Sequence, residues 1–180
     1  MSEPAIVQEL RQHFHDIECE MFRDQWRVVV PATIVHAVLE YLKEKANYKL
    51  IVDITCIDYL YYEGAQDRFG VVYLLCNVDT NERVTVKTFV NDPDPELPTV
   101  TDLWAGADWL EREVWDMFGI RFRGHPDLRR ILLPEGFESH PLRKDYPLQG
   151  MGERHNLPRI VRAEERLQTA DETNASDETT

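Results

Sequence analysis

The sequence predicts an α+β fold: a largely antiparallel sheet of four to five strands packed by helices, followed by an extended, proline-punctuated C-terminal arm. Three observations carry this. Leu50 to Leu60, Phe69 to Val78 and Arg83 to Val90 are strand-like runs joined by connections too short for crossover helices. Ile34 to Leu42 and Leu110 to Phe118 repeat apolar residues at helical spacing. Beyond Gly119 that periodicity fades, and Pro126, Pro134, Pro141, Pro147 and Pro158 interrupt the chain.

Taken in order, Ile6 to Phe14 makes a short first helix. Ile17 to Phe22 and Trp26 to Val30 form a small hairpin about an Arg23-Asp24-Gln25 turn. Pro31 suits a helix start, where its missing N–H costs nothing, and Ile34, Val35, Val38, Leu39 and Leu42 give an amphipathic helix ending near Lys45. The three strand-like runs follow as a meander, turning at Glu63-Gly64 and Asp79-Thr80-Asn81. In the last of them Val84 and Val86 alternate with Thr85 and Lys87, so one face is wet, whereas Val71-Val72-Tyr73-Leu74-Leu75 reads as covered on both faces. Asp92-Pro93-Asp94-Pro95 ends the sheet. Thr99 to Asp102 has the spacing of a capping box, opening a short helix through Trp104, and Asp108 caps a second helix, Trp109 to Phe118, stopped by Gly119.

A chain of 180 residues holds one substantial core. The organisation expected is an α+β domain over 1–133, a partner-docking arm over 134–162, and an acidic disordered tail over 163–180. A formal charge of −13 would repel phosphates, which argues against nucleic acid as a partner. No apolar run approaches the length of a bilayer-spanning helix, and the N-terminus has no signal-peptide pattern. Cys19, Cys56 and Cys76 are widely separated and form no CxxC, so a reducing compartment is expected and a zinc or iron–sulfur site within the chain is not.

Glu111, Glu113 and Asp116 invite comparison with paired catalytic carboxylates. Helical spacing favours ion pairing instead, from Asp108 to Arg112 and from Arg112 to Asp116. His125, Asp127 and His140 lack a metal-ligand spacing. Preceding Pro126, His125 is biased to extended backbone, from which its ring reaches across a turn or to a partner's carbonyl. Arg121, Arg123, Arg129 and Arg130 form a dense basic cluster beside Leu128, Ile131, Leu132 and Leu133, a mixture suited to docking. On that reading Arg129→Ala and Arg130→Ala leave folding nearly unchanged. Trp104, Trp109 and Trp115 serve either as core or as interface anchors. A free-standing enzyme using Glu111, Asp116 and His125 would need a nucleophile or cofactor motif, and GxGxxG, P-loop and GxSxG patterns are all lacking.

The segment Trp109-Leu110-Glu111-Arg112-Glu113-Val114-Trp115-Asp116-Met117-Phe118-Gly119-Ile120 runs without interruption into Gly124-His125-Pro126-Asp127-Leu128-Arg129-Arg130-Ile131-Leu132. It resembles the signature of the C subunit of NADH-quinone oxidoreductase, respiratory complex I. Thr99 to Gly106, Asp53 to Tyr59 and His140 to Leu148 extend the likeness. The resemblance implies a cofactor-free structural subunit of the peripheral arm, with FMN and iron–sulfur clusters held by partner subunits. Such a subunit supports electron transfer from NADH to quinone coupled to proton translocation, packs against the quinone-site and cluster-bearing subunits, and meets the cytoplasmic side of the inner membrane only through them. It also marks Glu111, Arg112, Glu113, Asp116, Gly119, Gly124, His125, Pro126, Leu128, Arg129 and Arg130 as the family signature and partner interface, with no catalytic, cofactor-binding or metal residue. Related domains of a membrane-bound hydrogenase, a formate-oxidising complex or a ferredoxin-fed photosynthetic-type complex are the alternatives.

Overall fold

A computed structural model describes residues 4–23 and 25–153. The tail over 163–180, and the arm beyond residue 153, therefore lie outside the described residues. The elements are α1 (Ala5–His13), β1 (Glu18–Phe22), β2 (Gln25–Val29), α2 (Val35–Glu44), β3 (Leu50–Asp58), β4 (Phe69–Cys76), β5 (Arg83–Val90), β6 (Glu96–Pro98), α3 (Ala107–Phe118) and β7 (Arg121–Arg123).

The main sheet has five strands in the order β1-β2-β5-β4-β3. Its meander is antiparallel as expected, while the hairpin joins through a parallel pairing of β2 with β5, Val28 opposite Val86. That pairing gives the hairpin a permanent neighbour, since a two-stranded ribbon alone is marginal in water. Side chains alternate across the sheet, so Val28, Ile54, Cys56, Val71, Tyr73, Val84 and Val86 share one buried face. They meet Val35, Val38, Leu39 and Leu42 of α2 and Val114, Met117 and Phe118 of α3 in a single core. The other face is not covered as the sequence of β4 suggested: Val72 and Leu74 are only half-buried.

Helix starts also differ from expectation. Residues 99–104 form a turn in which Leu103 and Trp104 donate N–H groups to the Val100 carbonyl. The Thr99 hydroxyl accepts the Thr101 N–H at 3.2 Å, in place of the Asp102 N–H that a capping box would use. Thr99 donates to Glu111, and Asp102 meets His36 at 2.9 Å. α3 begins at Ala107 with Gly106 at the cap, and Asp108 sits in its first turn. Gly119 does end it left-handed, with φ 78° and its N–H on the Trp115 carbonyl. A side chain there would meet the His140 ring at 2.7 Å.

Beyond α3, β7 pairs in parallel with β6. Neither three-residue strand is long enough to show a periodicity. The chain from Gly124 to Glu153 then runs mainly as turns and irregular backbone and folds back on the domain, where it is held from below by α3.

Candidate functional site

The signature residues of α3 form an anchoring system buried inside the chain. Glu111 is fully buried. Its carboxylate accepts hydrogen bonds from the Thr99 hydroxyl and the Val100 N–H, each at 2.6 Å, and so fixes the turn that follows β6. Burial pushes its pKa up to about 7; those two donors oppose the rise, and Asp102 and Asp108 add to it.

His125 approaches the same region with its ring fully enclosed. Nδ1 accepts the Asp127 N–H at 3.1 Å, which leaves the proton on Nε2 to face the Asp108 carbonyl at 3.2 Å. The Asp108 and Glu111 carboxylates lie 3.3 Å and 3.9 Å from that nitrogen. The turn histidine thus does reach a carbonyl, and it is one of its own chain.

Arg112 does not pair with its helical neighbours as the spacing suggested. Its guanidinium donates to the carbonyls of Arg129 at 3.0 Å and Arg130 at 3.1 Å, and stacks against Trp109. A buried fork of donors gains more from acceptors on irregular backbone, which lacks partners of its own, than from an ion pair at the surface.

Asp116, fully buried, accepts the N–H groups of Ile131, Leu132 and Leu133 on one oxygen, with the Arg130 guanidinium at 2.6 Å on the other. Burial alone would raise its pKa. The Leu133 N–H, the Arg130 guanidinium, and the Leu132 and Ile131 N–H groups outweigh that and hold it below the ordinary carboxylate range. Arg130 also donates to the Ser139 carbonyl and lies between Trp115 and Phe137. The basic cluster therefore divides. Arg130 points inward, a correction to its reading as a docking residue, while Arg121, Arg123 and Arg129 are exposed.

The segment from His140 to Arg143 caps the end of α3. An α-helix leaves its last four carbonyls without intrahelical donors. Here the Trp115 carbonyl takes the Gly119 N–H, and the Asp116 carbonyl takes His140 Nδ1 at 3.0 Å. The Met117 carbonyl takes the Leu142 N–H, and the Phe118 carbonyl takes Arg143 Nε at 2.6 Å. Burial lowers the His140 pKa, with Arg130 and Arg143 reinforcing it against the Asp116 carbonyl, so the ring caps as a neutral donor.

A second clamp, which local sequence pattern did not single out, fastens the arm farther along. Arg68 forks onto Asp58 at 3.2 and 3.3 Å and reaches Asp92 at 2.5 Å and Asp145 at 2.8 Å. Asp58 also accepts the Lys144 N–H at 2.8 Å. Burial opposes ionisation of Asp58, but the Lys144 N–H, Arg68 and the Leu60 N–H together lower its pKa. The Asp53-to-Tyr59 and His140-to-Leu148 likenesses pointed there, without a role.

What remains at the surface is a row of side chains mounted on this rigid base. Trp109, Leu132 and Leu142 are half or more exposed, with Glu113, Pro126 and Arg129 beside them in the signature. Gly124 is also exposed, and Leu128 packs partly against the core. Among the described residues, no three His, Cys, Asp or Glu side chains are grouped to hold a metal ion. A cavity of about 470 Å³ lined by Ile6, Trp26, Tyr48 and Val84 contains none of the signature residues. No helix of the described residues is long and apolar enough to cross a membrane.

The Glu111 geometry gives a pH dependence. Its folded pKa stands above the ordinary 4.5, so the folded chain holds that proton more tightly than the unfolded one. The resulting stabilisation is complete below the unfolded value and is lost as pH rises through about 7. Denaturant melts are expected to lose on the order of 3 kcal/mol across this window. Glu111→Gln should flatten that slope; an unchanged slope would place the titration elsewhere.

The family described as "Respiratory-chain NADH dehydrogenase, 30 Kd subunit" matches residues 28–152. The C subunit of NADH-quinone oxidoreductase from Trichlorobacter lovleyi is 46% identical over 136 residues, covering 76% of this chain and 83% of that protein. A trypsin-resistant fragment (1-134) of Nqo5 superposes with a TM-score of 0.63 at 37% identity, covering 68% of this chain and 96% of the fragment. A chain of the membrane-bound sulfane sulfur reductase, an archaeal respiratory membrane complex, gives a TM-score of 0.71 at 26% identity over 89% of this chain and 95% of that one.

Proposed function

The chain belongs to the 30 kDa subunit family of respiratory-chain NADH dehydrogenase, the family of the NADH-quinone oxidoreductase C subunits, and from that premise we propose that it is a structural subunit bracing the peripheral arm of that enzyme. In this reading it holds no redox centre itself. FMN and iron–sulfur clusters reside in its partners, and it keeps the quinone-site and cluster-bearing subunits in register on the cytoplasmic side of the inner membrane. Small displacements of reacting partners are costly even when the chemistry lies elsewhere, so bracing contributes to rate.

One observation supports this most. Glu111, Arg112 and Asp116 direct their hydrogen bonds to irregular backbone and fasten it to α3, which makes the exposed side chains of Trp109, Arg129, Leu132 and Leu142 a preorganised surface. Rigid aromatic and arginine side chains on such a base are the usual anchors of an interface. The sulfane sulfur reductase likeness shows that the fold also occurs in a different respiratory complex, but 46% identity to an NADH-quinone oxidoreductase chain favours NADH as donor and quinone as acceptor.

The test uses an affinity tag on the full chain in its own cells. The wild type is expected to bring down a complex with NADH-to-quinone activity, flavin and iron, while the separately purified chain carries neither in stoichiometric amount. A Trp109→Ala, Arg129→Ala double variant should melt like the wild type yet recover at least tenfold less complex. Equal recovery would remove this surface from the interface, and a hydrogenase or ferredoxin-linked activity would reassign the complex.

A further inference from the structure

We propose that the sheet face turned away from α2 and α3 is a second docking surface, and that it receives an apolar segment of a neighbouring protein in the complex, one that bears a carboxylate opposite Lys87. The proposal rests on the bracing role above, since a part that holds two neighbours in register must touch both. The signature row lies on the helical side of the sheet, so it supplies only one of those contacts.

The register of the sheet gives the composition of the second face. It consists of Arg27 and Val29 from β2, Thr85, Lys87 and Phe89 from β5, Gly70, Val72 and Leu74 from β4, and Thr55 and Ile57 from β3. An antiparallel sheet with one solvated side normally presents polar side chains there. Here Ile57 and Val52, both on β3, are 43% and 49% exposed, and Val72, Leu74 and Phe89 are half-buried. β4 contributes no charge at all. On the three inner strands the charges of this face are Arg27, Lys87 and, at its end, Arg83, all cations in a chain of net charge −13. Acidic side chains appear only on the outer strands, as Asp53, Glu18 and Glu20, and Glu20 meets Arg27.

Lys87 is held in a manner unusual for a solvent-facing lysine. Its stem lies across Gly70, where an added Cβ would come within 2.9 Å of Lys87 Cε and of the Tyr59 ring. The ammonium sits 4.7 Å from the Tyr59 ring centre and 4.5 Å from that of Phe89, and donates to the Tyr59 hydroxyl at 2.8 Å. An ammonium has three donors, so two remain for an incoming acceptor. The rotamer entropy that a free lysine would lose on binding is already spent in the fold. An apolar strip with one immobilised cation at its centre fits an apolar strand or helix bearing an aspartate or glutamate.

The experiment compares the assembled complex with the isolated full chain. Ile57→Cys is expected to alkylate at least tenfold more slowly in the complex than alone, with native Cys19 as the internal reference. Lys87→Met, which keeps the stem over Gly70, should melt normally but incorporate at least tenfold less, and Lys87→Glu less still. Equal alkylation in the two states, or normal incorporation of Lys87→Met, would overturn the proposal. Disulfide-linked dimers of Ile57→Cys in the isolated chain would overturn it too, by making a second copy the occupant. If the wild-type chain recovers no complex at all, the bracing role fails, a result distinct from either.

Discussion

Asp116→Ala is expected to release the whole backbone from Arg130 to Leu133 while leaving the sheet intact. One oxygen of Asp116 serves three consecutive N–H groups and the other holds Arg130, whose side chain is only 9% exposed. Removing one member of a buried ion pair typically costs about 3–5 kcal/mol, because the partner stays buried without its countercharge. The three orphaned N–H groups push the loss toward the upper end. For a domain of this size that lowers the melting midpoint by about 10 °C or more. Limited trypsin digestion reports the site directly, through new cleavage after Arg129 and Arg130. Glu113→Ala, on the solvent side of the same helix and the same motif, should change stability by less than about 0.5 kcal/mol. A similar melt for the two variants would disprove the anchoring role.

Arg68→Met is the second large effect. Its guanidinium is shared among Asp58, Asp92 and Asp145, and the Asp58 side chain has no exposure to solvent. Losing the cation leaves Asp58 buried with only the Lys144 and Leu60 N–H groups, which again costs roughly 3–5 kcal/mol. The more exposed partners, Asp92 and Asp145, add little. A lowered folded pKa means that Asp58 contributes stability at neutral pH, present above its unfolded pKa and lost as pH falls through the folded one. The variant should therefore lose much of the acid-side fall in stability that the wild type shows. Retention of the full fall in Arg68→Met would mean that other carboxylates control it.

Much of the fold was legible because it is periodic. The 3.6-residue stripe of α3, the meander and the stop at Gly119 each follow from local pattern, and the signature segment identified the family. The role of each signature residue was not legible, because it depends on partners remote in sequence. Asp108, Arg112 and Asp116 are spaced for a ladder of helical ion pairs, yet Arg112 turns to carbonyls of Arg129 and Arg130. Burial decides this, since a guanidinium taken out of water must satisfy its donors, and the arm offers acceptors where the helix surface offers weak pairs. Arg130 misled for the same reason: an arginine on irregular backbone looks like a surface group until the carboxylate beneath it is seen. The Asp58–Arg68–Asp145 clamp joins three segments that share no local pattern.

The parallel pairing of β2 with β5 joins the paired strands of the main sheet that lie farthest apart in sequence. The two strands of the hairpin are near neighbours in sequence, whereas Val28 and Val86 are separated by the whole of α2, β3 and β4. Closing so long a loop requires its entropy to be lost before the contact returns anything, which slows barrier crossing relative to a helical protein of equal length. On the ribosome, the segments of β1 and β2 emerge well before β5, the strand that β2 pairs with in the finished sheet. A chain held at that stage exposes Trp26, Val28 and Val30 to other nascent chains, so production of this protein should be more sensitive to chaperone supply than its finished stability suggests.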